Sequence, residues 1–170
     1  MLKQKLSNNF TFSIIQASKK DIDQIYELEK RIFAKNECCS RTQLRYFLSS
    51  PNTSFFMLCD NKSAVGYGIA LRNKLRNGLY KGRIYSIGVL PEYRSTGAGS
   101  FLLNALEKYL IKSGVSFIAL ETLEGKDGAK LFFLKHDYTE SKFLPDYYPY
   151  GDGVRMKKTI AKKLEPEKFG

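Results

Sequence analysis

Ile84-Tyr85-Ser86-Ile87-Gly88-Val89-Leu90-Pro91-Glu92-Tyr93-Arg94-Ser95-Thr96-Gly97-Ala98-Gly99-Ser100 is the stretch whose reading decides the fold. A strand-like run ends at Pro91, and a basic, glycine-spaced turn, Arg94 to Gly99, opens directly into the amphipathic stretch Phe101–Ile111. Strand, glycine turn and helix N-terminus together make an anion cradle. The first-turn N–H groups point outward without partners, and the helix dipole favours negative charge there. Gly97 and Gly99 carry no Cβ, so a pyrophosphate can approach the main chain. An Arg-x-x-Gly-x-Gly string alone fits many surface turns; its position between a strand and a helix gives it meaning.

Working outward, Phe10–Gln16 alternates apolar and polar residues as a strand does. Ser18, with Asp21 three residues on, begins a helix that carries Ile22, Ile25, Tyr26, Leu28 and Ile32 to about Phe33. Ser40 caps a second helix, with Leu44, Phe47 and Leu48 on one face, that stops before Pro51. Ser54–Cys59 and Ala64–Leu71 flank Asp60-Asn61-Lys62-Ser63 as a hairpin. A basic loop over 72–81 leads to the strand Arg83–Val89. The helix from Gly97 to Lys112 buries Leu102, Ala105, Leu106, Tyr109 and Leu110 and ends at Gly114. Val115–Thr122 is a strand, 127–136 a helix, and Tyr138–Phe143 and Gly153–Ile160 the last strands. The order β-α-α-β-β-β-α-β-α-β-β describes an α/β (α+β) layer with a mixed sheet. Its one clear β-α-β crossover contains the glycine turn. Residues 1–9 read as an extension, 10–160 as the domain and 161–170 as a basic tail.

The 170 residues, 43% hydrophobic and 14% aromatic, suit one domain with a sizeable core. No apolar run spans a bilayer, and Met1–Asn9 lacks the apolar centre of a secretory signal. Three cysteines, two of them vicinal (Cys38, Cys39), make no disulfide framework, and with the single His136 they make a poor metal site. A reduced, cytoplasmic protein is expected, with no metal. The net charge of +11 favours anionic partners: nucleic acid, acidic proteins or a phosphorylated cofactor. Residues 72–83 hold Arg72, Lys74, Arg76, Lys81 and Arg83 without an acid, yet no nucleic-acid motif accompanies them.

On these residues the chain resembles the GNAT superfamily of acetyl-CoA-dependent N-acetyltransferases, over Phe10 to Ile160. The resemblance implies a mostly antiparallel mixed sheet flanked by helices. It further implies that Arg94, Ser95, Thr96, Gly97, Ala98, Gly99 and Ser100 bind the CoA pyrophosphate, and that Ile87-Gly88-Val89 aligns the pantetheine arm. Lys126, at the start of the next helix, is a candidate partner for a CoA phosphate. Leu120-Glu121, the Phe132-Phe133…Asp137-Tyr138 corner and Asp146-Tyr147-Tyr148-Pro149 are similar to the protein N-terminal acetyltransferases, including the ribosomal-protein alanine type.

Acyl transfer to an amine needs a neutral nucleophile, and the resemblance gives Glu121 the general-base role. An α-amine is roughly a tenth neutral at pH 7, whereas a lysine is neutral in only about one molecule in 2,500, so a modest base suffices for a chain N-terminus. The family's tyrosine that protonates the departing sulfur falls on Phe133, which has no proton to give. Tyr138 or the Tyr147–Tyr148 pair are substitutes to consider. Strand alternation puts Arg83, Tyr85, Ile87 and Val89 on one face, which by resemblance borders the acceptor with Ala34–Cys39, Tyr147 and Tyr148. Arg83 there favours an acidic acceptor residue. The expected reaction is acetyl transfer to a protein or peptide N-terminus. A small-molecule amine acceptor, a catalytically silent acetyltransferase-like protein and a basic nucleic-acid or anion-binding module are the other readings. Oligomeric state is not encoded in any motif.

Overall fold

The computed structural model describes residues 10–160 and the backbone of 2–5. In chain order the strands are β1 (Leu2–Lys5), β2 (Thr11–Gln16), β3 (Thr53–Asp60), β4 (Ser63–Lys74), β5 (Tyr80–Val89), β6 (Phe117–Leu123), β7 (Thr139–Tyr148) and β8 (Gly151–Thr159). The helices are α1 (Ile22–Ile32), α2 (Arg41–Ser49), α3 (Ala98–Lys112) and α4 (Asp127–Leu134). Among the described residues one eight-stranded sheet runs β1-β2-β3-β4-β5-β6-β8-β7, and only its β5–β6 pair is parallel. The mostly antiparallel mixed sheet flanked by helices is the architecture expected, with β1 added at its edge. The expected tail, 161–170, lies outside the described residues.

Local chemistry explains the helix starts. Ser18 and Asp21 cap each other's backbone reciprocally at a 3₁₀ turn leading into α1, and Ser40 and Gln43 do the same for α2. Gly114, at φ 77°, supplies the left-handed residue after α3. The two faces of the sheet are read from β4: Tyr67 reaches Glu29 of α1, whereas the next residue, Gly68, lies against Leu106 of α3. Successive strand residues face opposite ways, so α1 and α3 cover opposite faces. A Cβ on Gly68 would lie 2.6 Å from Leu106 and one on Gly82 2.8 Å from Leu110, so these glycines let α3 press onto the sheet. Leu102, Leu103, Leu106 and Leu110 of α3 are fully buried against it.

The basic segment 72–81 is not a loop. β4 extends to Lys74 and β5 begins at Tyr80, leaving a tight connection in which Gly78 takes φ 84°. Arg72 lies 3.4 Å from the Tyr80 ring centroid and its Nε donates to the Ser113 carbonyl at 2.8 Å, so part of the basic run is structural.

Candidate active site

The parallel pairing of β5 and β6 covers only Lys81↔Phe117, Gly82↔Ile118 and Arg83↔Ala119. Beyond it the strands part, and a cleft of about 500 Å³ opens, lined by Arg83–Ile87 of β5, Leu120–Leu123 of β6, and Phe133. The cause is a β-bulge. Ala70 pairs with Ile84 but Ile69 pairs with Ser86, so Tyr85 is the extra residue that bends β5 away. The bulge also overturns the expected alternation. By register Arg83 shares the face of Tyr67, whereas Ile84, Ile87 and Val89 share that of Gly68, and Val89 is buried in the core. The parted strands leave main-chain groups facing the gap, the geometry that takes an extended ligand as an added strand.

At the carboxyl end of β5 the chain turns into α3. Ser95 (φ 61°) and Gly97 (φ 89°) adopt the left-handed conformation, and the Thr96 hydroxyl donates to the Tyr93 carbonyl at 2.7 Å. The first bond of the helix runs from Phe101 N–H to Gly97 C=O at 2.9 Å, and no side chain caps Gly97. The N–H groups of Ala98, Gly99 and Ser100 are therefore the orphan donors of the first turn, a geometry suited to an anion.

Its individual members also make contacts within the protein. Arg94 donates to the Ile32 carbonyl at 3.3 Å and so ties the turn to α1. The open side of Gly99 faces Phe132 of α4, 3.4 Å from where a Cβ would stand, an ordinary packing distance. Ser100 Oγ is 2.9 Å from His136 Nε2. A Cβ on Gly88 would lie 2.4 Å from Ile32 and 2.9 Å from Phe33, so its lack of a side chain admits the end of α1.

Glu121 lies on the cleft wall, its side chain only 6% exposed. Arg83 Nε donates to its Oε2 at 2.8 Å and Arg155 Nε to its Oε1 at 2.8 Å. Register explains the second contact, because Glu121 of β6 and Arg155 of β8 are directly opposite and share a face. Arg83 also donates to the Tyr147 hydroxyl at 2.9 Å. Arg83 approaches Oε2 with both Nε and a terminal nitrogen at 2.8 Å, whereas Oε1 meets Arg155 Nε alone and keeps a further lone pair.

Tyr85, Tyr147 and Tyr148 all line the cleft, joined by Tyr150 and Glu37. Burial, ahead of the neighbouring Tyr147 and Glu121, pushes the Tyr148 hydroxyl well above its ordinary value. Tyr138 is not a substitute acid: it is buried outside the cleft, and burial followed by Glu107 raises its pKa. Lys126 pairs with Glu37 at 2.6 Å, joining the β6–α4 and α1–α2 connections. Cys39 also lines the cleft, but burial and then Glu29 push its thiol up to about 12, so it is no nucleophile at neutral pH. Arg155 and Tyr150 escaped the sequence reading of the site, whereas Glu37 lies in the Ala34–Cys39 loop expected to border the acceptor. The β6–β8 register brings in Arg155, and the β7–β8 connection brings in Tyr150.

Comparison with known proteins agrees with this geometry. The Acetyltransferase (GNAT) family matches residues 22–138. An uncharacterised N-acetyltransferase of Methanocaldococcus jannaschii is 30% identical over 136 residues, 79% of this chain and 83% of the relative. An N-alpha-acetyltransferase of Saccharolobus solfataricus is 28% identical over 157 residues, 85% and 90% of the two chains. The ribosomal-protein-S18-alanine N-acetyltransferase of Escherichia coli shares the fold, with a TM-score of 0.76 at 21% identity over 91% of this chain and 98% of that one. Cradle, parted strands and sequence lead to one conclusion: the chain belongs to the GNAT acetyltransferase family.

Proposed function

We propose that the protein transfers an acetyl group from acetyl-CoA to the N-terminal α-amine of a protein or peptide. The observation that carries this reading is the parting of β5 and β6 between the cradle of α3 and the Glu121 carboxylate. The orphan N–H groups of Ala98, Gly99 and Ser100 suit the pyrophosphate, and the exposed edge of β5 around Ile87 suits the extended pantetheine arm. Bound acetyl-CoA supplies an activated thioester. Glu121 accepts the amine proton at Oε1, which only Arg155 Nε occupies, directly or through a water. The ring of Tyr85, Tyr147, Tyr148 and Tyr150 gives hydroxyls to a peptide backbone entering from the acceptor side.

Phe133 is buried against the cleft and gives no proton, so a thiolate with a pKa of about 8.5 leaves largely unassisted or takes its proton from water. The name of the Saccharolobus relative supports an α-amine over a small-molecule amine. Three free thiols, Cys38, Cys39 and Cys59, support a reducing, cytoplasmic setting. The test is acetyl-CoA-dependent thiol release over a panel of peptides with free N-termini, polyamines, amino acids and aminoglycosides. Peptides should be the preferred class; turnover confined to the small amines would overturn the reading.

A further inference from the structure

Arg83 does not present a free charge to the acceptor, because Glu121 and Tyr147 hold it. The free charge lies two strands further on, on β8. Arg155 touches Glu121 through Nε alone, and its side chain is 40% exposed. Among the described residues its two terminal nitrogens meet no protein acceptor. Across the next ladder, Lys142 of β7 stands directly opposite Arg155, on the same face and exposed. The face therefore carries Arg83, Glu121, Arg155 and Lys142 in sequence across β5, β6, β8 and β7: three cations and one carboxylate. Like charges opposite one another destabilise a sheet unless an anion lies between them. Tyr147 covers Gly153, two residues before Arg155 on the same face, so the row starts at the cleft wall and runs toward the sheet edge.

We infer that Arg155 and Lys142 select acceptors with acidic side chains in their first three residues; this deepens, and rests on, the assignment of a peptide N-terminus as the acceptor. A chain whose α-amine lies near Glu121 and which advances about 3.3 Å per residue passes both cations within three residues. Arginine's planar fork offers its outer donors to a carboxylate while Nε stays on Glu121. A second effect follows from the geometry: a substrate carboxylate takes up the excess positive charge and lets Glu121 turn toward the amine.

The experiment compares kcat/KM for two matched peptides, Ser-Asp-Glu-Ile-Phe-Gly and Ser-Asn-Gln-Ile-Phe-Gly, with acetyl-CoA saturating. The acidic peptide should be favoured by roughly tenfold, mostly through KM, and the advantage should shrink between 50 and 500 mM salt as exposed charges are screened. K142E should lower the acid-to-amide ratio severalfold, and R155Q should lower it further. Lys142 is exposed, so its variant reads out even if R155Q folds poorly. Equal kcat/KM for the two peptides, with both acetylated, overturns this inference and leaves the peptide acceptor standing. Neither peptide acetylated while a small amine is overturns both. A single-stranded oligonucleotide that binds the row more tightly than the acidic peptide, in competition by fluorescence anisotropy, also overturns it.

Discussion

Replacing Glu121 with glutamine changes one atom and removes a charge that two guanidiniums share. In the native site each oxygen accepts from one arginine at 2.8 Å. In the variant one of those positions becomes an NH₂ group facing an N–H donor, and two cations lose their anion. Breaking a fully buried pair costs about 3–5 kcal/mol. Here the arginine side chains are 31% and 40% exposed and can swing to water, so the loss reduces to roughly 1–2 kcal/mol. For a domain of this size that is a fall in Tm of about 2–8 °C, and the protein stays folded.

The effect of Glu121→Gln on rate is larger. A positioned base contributes about 10²–10⁴-fold, and the α-amine is already a tenth neutral at pH 7, so kcat/KM should fall by about 10². The residual rate should climb nearly tenfold per pH unit below the amine pKa of about 8, because only neutral amine reacts without a base. Acetyl-CoA affinity, measured by isothermal titration calorimetry, should stay within about twofold, since the cradle lies on α3. Unchanged kcat/KM at pH 7 in a folded variant would refute the role given to Glu121.

Three further outcomes follow from the packing. Phe133→Tyr should keep kcat within about twofold or raise it, because the ring faces the cleft; a loss beyond tenfold in steady-state assays would mean that the hydroxyl collides with the bound substrates. Gly88→Ala puts a methyl 2.4 Å from Ile32 and should lower Tm by several degrees, about 1–3 kcal/mol of overpacking; a Tm equal to wild type in thermal melts would contradict that contact. Burial raises the ionisations of Cys39 (to about 12), Tyr67 and Tyr148 above their ordinary values of 9 to 10. The folded state therefore holds protons that the unfolded chain releases, and this stability is complete below pH 9 and lost as pH rises toward 12. Tm should be level from pH 7 to about 8.5 and fall above pH 9; a level Tm through pH 11 would show that these groups are not buried as described.

What could be read from the chain was what is local in it. The glycine turn, the capping boxes at Ser18 and Ser40 and the stop at Gly114 are set by residues within four positions of one another. The bulge at Tyr85 was not legible, because it is decided by how β4 pairs rather than by β5 alone, and it invalidated a face assignment that assumed plain alternation. β1 was missed because Leu2-Lys3-Gln4-Lys5 has no apolar alternation and is defined only by pairing with β2. β7 runs past Pro145 to Tyr148, further than its sequence promised, as an edge strand can because an edge tolerates a missing donor. At the site, Glu121, Arg83, Tyr85, Tyr147 and Tyr148 were legible from strand ends and motif. Arg155 was not: it lies 34 residues from Glu121 and joins it only through the β6–β8 register.

The central claim is that the acetyl group goes to an α-amine held beside Glu121. A peptide with both a free N-terminus and an internal lysine, incubated with the protein and acetyl-CoA and sequenced by tandem mass spectrometry, tests it directly. The account predicts acetylation on the α-amine, reduced strongly in Glu121→Gln. Acetyl found on the lysine side chain alone, or no acetylated peptide beside rapid acetylation of a small amine, would contradict it.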